Sequence, residues 1–204
     1  MPRQPESHAV YVAGEAHAYQ DLVRRNQGFF ARPFVRQALK LGASRPLRVL
    51  DLGCGPGQTA LLLAQQAPNW RIVGIDQSPE MIALARQQAL LAGVGERLSF
   101  QAADATALPF PDGSFDLVLS SFLLHHLEDP AAFFRETARV RRAGGQVLIR
   151  DLRRPNTMML SVILLVSRLA LRYDPLQLHL SRESLQAAYT PREIRCALAQ
   201  SPLR

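Results

Sequence analysis

The segment Val49-Leu50-Asp51-Leu52-Gly53-Cys54-Gly55-Pro56-Gly57 constrains this chain more than any other. A short apolar run ends in an aspartate, and glycines then stand at alternate positions. Such a run reads as a strand turning sharply into a helix. Glycine reaches positive φ without a steric penalty, and it lets the backbone approach a ligand with no Cβ in the way. The helix read next, Thr59–Ala67, would offer its first backbone N–H groups to an anionic group.

The same grammar repeats along the chain. Leu47–Leu52, Arg71–Ile75, Leu98–Gln101, Phe115–Ser120 and Gln146–Arg150 read as strands separated by helical stretches. Ser78 caps one helix, with Pro79 and Glu80 in its first turn and Gly93 at its end. Pro111-Asp112-Gly113 is a turn, and Asp129-Pro130 opens a helix expected to stop at Gly144-Gly145. Alternating strands and helices imply an α/β fold: a doubly wound, mostly parallel sheet with helices on both faces.

The flanks differ from this core. Residues up to about Ser44 read as helix, with Val12, Leu22, Phe29, Phe30, Phe34, Val35 and Leu39 recurring among polar positions. Beyond Asp151 the alternation fails. Met158–Arg172 reads as helix, and Thr190-Pro191-Arg192-Glu193 is a capping box that starts another. The expected division is a helical cover over 1–45, an α/β core over 46–151, and a helical lid or C-terminal segment over 152–204, with truncation at Arg204 left open.

Bulk properties set limits. A chain of 204 residues suffices for one domain with a real core. The formal charge of +7 is almost all arginine, Lys40 being the only lysine, and it reads first as a composition bias. Cys54 and Cys196 lie far apart and outside any metal-ligand spacing. The first residues include Glu6 and Glu15 and no apolar leader, so a reduced, cytoplasmic setting is expected. Met158–Tyr173 is shorter than the roughly 20 residues of a bilayer span and contains Arg168.

The glycine spacing narrows the ligand. A dinucleotide fingerprint, G-x-G-x-x-G, would place its third glycine at position 58, which is Gln58 here. D-x-G-x-G-x-G suits a ligand with an amino-acid head and no pyrophosphate, Asp51 pairing with the ammonium. Asp76 closes the second strand, where an acid can hold ribose hydroxyls, and Asp104 follows the third, placed for an adenine amino group. Each aspartate alone could be a helix cap. Three after three successive strands favour a ligand.

Val49–Gly57, Val73–Arg86 (VGIDQSPEMIALAR) and Asp104–Pro130 together resemble class I S-adenosylmethionine-dependent methyltransferases. The likeness is to the small-molecule branch that includes ubiquinone/menaquinone biosynthesis C-methyltransferases, over about residues 46–151. It implies a Rossmann-like methyltransferase sheet with S-adenosyl-L-methionine as cofactor. Asp51, Gly53, Gly55 and Gly57 would meet the methionine end, Asp76 and Gln77 the ribose, Asp104 and Ala105 the adenine, and Ser120 would lie near the sulfonium. In two respects the chain departs from the family: Arg141-Arg142-Ala143 precede Gly144-Gly145 in place of a Leu-x-Pro pattern, and the fold's last two strands are expected to be lacking.

Methyl transfer needs mainly positioning and exclusion of water, since the cofactor supplies the electrophile. His125, just past the fourth strand, is the candidate base or hydrogen-bonding group, against a structural role capping the next helix; His126 is the weaker of the pair. No D/N-P-P-Y run, Pro-Cys nucleophile or acidic Mg²⁺ cluster appears, so a small, hydrophobic organic acceptor and metal-free chemistry are expected, and no nucleic acid. Tyr19 and Phe29 are candidates to cover the cofactor. Met158–Tyr173 has three readings: an apolar lid over the acceptor, a membrane-surface helix with Arg153, Arg154, Arg168 and Arg172 toward headgroups, or a core or homodimer helix. Rival functions are a nicotinamide dehydrogenase, a non-catalytic or incomplete cofactor-binding domain, and an RNA methyltransferase suggested by Arg135, Arg139, Arg141 and Arg142.

Overall fold

The computed structural model describes residues 2–5, 31–42 and 45–203. The readings made at Val12, Tyr19, Leu22, Phe29 and Phe30 lie outside these residues. The described elements begin with helix α1 (Ala31–Leu41) and strand β1 (Arg48–Leu52). There follow α2 (Gln58–Gln66), β2 (Arg71–Asp76), α3 (Pro79–Leu91), β3 (Leu98–Ala102) and β4 (Phe115–Ser121). A 3-10 turn (Leu124–His126), α4 (Pro130–Val140) and β5 (Arg141–Arg150) complete the sheet region. Helices α5 (Thr157–Leu169), α6 (Pro175–Ala187) and α7 (Pro191–Ala199) come last.

The five strands form one parallel sheet in the order β3-β2-β1-β4-β5. From β1 the chain winds outward through β2 to β3, then returns to the other side of β1 for β4 and β5. The order therefore reverses between β1 and β4, and ligands in such sheets sit at the carboxyl ends of the strands beside that reversal. Among the described residues no strand pairs with the outer edge of β5.

Both faces of the sheet are covered, as the doubly wound expectation requires. Strand side chains alternate between faces with period two. Val49, Ile72, Leu117 and Leu119 pack with Phe34, Leu63, Trp70 and Ile82 from the side of α1, α2 and α3. Leu50, Leu52, Ile75 and Val118 pack with Phe133 and Phe134 of α4 and Ala197 of α7 on the other side. Burying a Leu, Ile or Phe side chain stabilises by roughly 1.5–3 kcal/mol, so these two layers hold the strand ends rigid beneath the site.

Two local expectations change. The helix opened by Asp129 ends at Val140, short of the glycines, because Arg141 already pairs with Phe115 in the sheet. Residues 142–145 form an excursion between that pair and Gln146–Leu117, with Gly144 at φ 72°. Helix α6 was not read from the sequence, although Asp174 and Gln177 form a capping box at its start.

Candidate active site

The glycine turn is tied to the neighbouring strand before it becomes a helix. Cys54 N–H donates to the Ile75 carbonyl at 2.8 Å, prolonging the β1–β2 pairing into the turn, and Leu61 N–H to Gly57 at 2.8 Å begins α2. Gly53, Gly55 and Gly57 all have positive φ, at 66°, 52° and 84°. Gly57 is required by packing as well: a Cβ there would stand 2.8 Å from Phe100 Cζ and 3.0 Å from Ala85 Cβ. At Gly53 a Cβ would meet Leu123 Cδ1 at 2.8 Å, so the segment after β4 closes directly on the first glycine.

The three strand-end aspartates hold different posts. Asp76 Oδ2 accepts the Gly55 N–H at 2.8 Å and Oδ1 the Ser78 N–H at 3.0 Å. Its carboxyl is pushed up from the usual range by burial, and those N–H groups and the nearby His126 pull it back down. Asp104 is exposed, and its Oδ1 accepts both the N–H and the hydroxyl of Thr106 at 2.7 Å. Asp51 is fully buried: the pleat that sends Leu50 and Leu52 to the α4 side turns it toward α2, where it takes the Ala60 N–H. Burial and then the Asp76 charge raise its pKa to about 7. Its Oδ2 has no hydrogen-bond partner among the described residues.

A cleft opens above these strand ends, at the reversal point. Gly53, Gly55, Asp76, Gln77, Asp104 and Ala105 line it, with Ile75, Ser78, Met81 and Ala103. Phe122, Leu123, His126 and Leu127 form its remaining wall. Of the residues singled out in the sequence, the fold thus gathers these six at one surface. Asp51 and Gly57 lie beneath the turn, and Ser120 is buried in β4 opposite Leu52, with its Oγ unpartnered among the described residues. Among the described residues no lysine or arginine lines the cleft, whereas the carboxylates of Asp76 and Asp104 do, a setting suited to a cationic ligand with hydroxyls to bind.

His125 does not line the cleft. It is only 3% exposed, and its Nδ1 lies 2.6 Å from Asp151 Oδ1. Asp151 Oδ2 also accepts the Leu124 N–H at 2.6 Å, so one carboxylate fixes both ring and backbone of the 3-10 turn. The imidazole on the cleft is His126, its ring centroid 4.1 Å from that of His125. The turn is also held from outside: Arg3 donates to the carbonyls of His125 and Leu127 at 3.1 and 2.9 Å, and Tyr189 OH to Leu127 at 2.6 Å. Phe122 takes a positive φ of 62°, its N–H donating to the Arg150 carbonyl at 2.9 Å. The Arg150 guanidinium lies 4.8 Å from the ring centroids of both Phe122 and Phe34.

Sequence reasoning missed Asp151, Arg3 and Tyr189. Asp151 carried a usable signal, since it follows β5 as Asp76 closes β2. Arg3 and Tyr189 reach the turn across 124 and 62 residues and carried none. Among the described residues no group of three His, Cys, Asp or Glu side chains is placed to hold a metal ion.

Residues 50–149, the stretch that builds this sheet and cleft, match the family model of a methyltransferase domain. The chain carries a methyltransferase domain over that stretch. Among methyltransferases, it is 41% identical over 115 residues to a demethylmenaquinone methyltransferase of Thermus thermophilus, covering 56% of this chain and 51% of that protein. It is 40% identical over 105 residues to ajmaline N-methyltransferase of Rauvolfia serpentina, covering 52% and 36%. The crystal structure of a SAM-dependent methyltransferase from Aquifex aeolicus shares the fold, with a TM-score of 0.69 at 18% identity, over 94% of this chain and 88% of that one. The chain spans about half or less of the length of these two curated relatives.

Proposed function

We propose that this chain binds S-adenosyl-L-methionine in the β1/β4 cleft and transfers its methyl group to a small hydrophobic organic acceptor. The observation that carries the reading is the meeting of Gly53, Gly55, Asp76, Gln77, Asp104 and Ala105 on one cleft at the reversal of strand order. Their chemistry fits the cofactor. Asp76 and Gln77 offer oxygens for ribose hydroxyls, Asp104 offers one for the adenine amino group, and Ala105 offers a flat apolar contact. The glycine turn receives the amino-acid end, and the buried Asp51, whose Oδ2 has no hydrogen-bond partner among the described residues, supplies negative charge behind it once ionised. Gly57 and Ser120 support this end from beneath.

When bound, the cofactor supplies an electrophilic methyl on a sulfonium, so this chain's residues have to bind, orient and exclude water. Phe122, Leu123 and Leu127 make an apolar wall for that purpose, with His126 as its polar group. In this reading His125 acts as a positioning residue: its bond to Asp151 sets where His126 and Leu123 stand. The matched relatives bear the names of different acceptors, in keeping with an acceptor side that varies on a constant cofactor side.

Thermal shift tests the cofactor. S-adenosylhomocysteine at about 100 times its Kd should stabilise the native state by about 2.7 kcal/mol, while NADH should not. Incubation with methyl-labelled cofactor and a cell extract tests transfer. A labelled small organic product is expected. Cofactor binding with no labelled product would leave a binding domain without activity, and label in RNA would replace the acceptor class.

A further inference from the structure

Helix α5 stands in the fold with its apolar side outward. Met158, Val162, Leu165, Val166 and Leu169 recur at helical spacing along one stripe, and Met158, Leu165 and Leu169 are 75%, 56% and 69% exposed. The buried side of the same helix is narrower and holds Leu160 and Ser167. A contiguous exposed stripe of this kind marks an interaction surface. From Arg153 to Tyr173 the chain has four arginines and no acidic residue. Arg154 is drawn inward to Glu193 at 2.7 Å, so it does not point to headgroups as the sequence suggested. Arg153, Arg168 and Arg172 are exposed and form no ion pair among the described residues. They stand before the helix, in its last turn and just after it.

We propose that α5 docks this protein on an anionic lipid surface, its stripe sunk in the headgroup boundary and Arg153, Arg168 and Arg172 meeting lipid phosphates. The charge pattern chooses this occupant over a second copy of the chain. A two-fold interface on the stripe would bring like-charged arginines together, and the segment has no carboxylate to pair with them. An anionic surface satisfies apolar face and basic ends at once. The helix also sits on the acceptor side: α5 packs on α6, and α6 packs on the turn carrying His125 and His126. Resting on the methyl-transfer reading above, docking here brings a lipid-dissolved acceptor next to the cleft wall.

Sedimentation of the full chain with phosphatidylcholine vesicles, with and without phosphatidylglycerol, is the test. Binding is expected to the mixed vesicles, to fall in high salt, to weaken about tenfold or more in R168A/R172A, and to vanish in V162E/L165E. Both substituted pairs are exposed, so the fold should tolerate them, and S-adenosylhomocysteine affinity measured on the same variants should stay at wild type. Loss of that affinity in the parent chain would sink the cofactor reading while leaving vesicle binding to be judged separately. Absence of vesicle binding, or binding that V162E/L165E leaves intact, overturns the docking proposal. So does a solution dimer that V162E/L165E converts to monomer.

Discussion

The carboxylate of Asp76 joins the end of β2 to the middle of the glycine turn, accepting the Gly55 N–H at 2.8 Å. The same carboxylate accepts from Ser78 at the start of α3, so one side chain sets three backbone segments around the cleft. In Asp76→Asn the amide offers one acceptor and presents an NH₂ group to the other donor. Losing one charge-assisted bond of this kind costs about 1.5–3 kcal/mol. S-adenosylhomocysteine affinity should fall at least tenfold by calorimetry; unchanged affinity would remove Asp76 from the site.

Asp51 predicts a pH dependence. Its folded pKa of about 7 lies above the unfolded value of 3.8, so the native state holds the proton more tightly. The stability this gives the ligand-free protein is full below pH 4 and is lost as pH rises through about 7, on the order of a few kcal/mol. A cationic ligand end favours the ionised form. Affinity for S-adenosylmethionine should therefore rise with pH from 5.5 and level off above about 7. Asp51→Asn should flatten both curves, and an affinity profile that keeps its slope in this variant would contradict the assignment.

The two histidines should separate by readout. His125→Ala or Asp151→Asn leaves a buried polar partner alone and should cost about 1–3 kcal/mol in denaturant unfolding. His126→Ala removes a group on the cleft wall. It should cost less stability than His125→Ala and lower kcat/KM for the acceptor about tenfold or more. The reverse pattern, a stable and inactive His125→Ala, would restore His125 as the group that meets the acceptor.

Gly57→Ala tests packing apart from ligand contact. The added Cβ meets Phe100 and Ala85 at a positive φ. Left-handed strain of about 1–2 kcal/mol and overpacking of about 1–3 kcal/mol should lower Tm by roughly 4–20 °C at 2–4 °C per kcal/mol. Phe100→Leu in the same chain should recover part of the loss. No recovery would mean that backbone conformation, and not the Phe100 contact, carries the cost.

What the residues alone determined is local in origin. Apolar runs of strand length, the glycines at 53, 55 and 57, and the caps at Ser78, Asp129 and Thr190 are each decided by neighbours within a few positions. Period and capping made the alternation of strands and helices legible, and alternation implies the doubly wound sheet. The glycine turn with Asp76 and Asp104 was legible for the same reason, since strand ends in such a sheet converge. Where each aspartate points was not. The pleat turns Asp51 toward α2, Asp76 spends an oxygen on Gly55, and only the assembled sheet fixes both. The division between His125 and His126 depends on Asp151, Arg3 and Tyr189, which reach the turn from distant parts of the chain. The outward stripe of α5 likewise follows from which side α6 covers. Short-range propensity wrote the elements and the turn into the sequence. Long-range packing chose the partners, because a side chain's burial and charge depend on what the fold sets beside it.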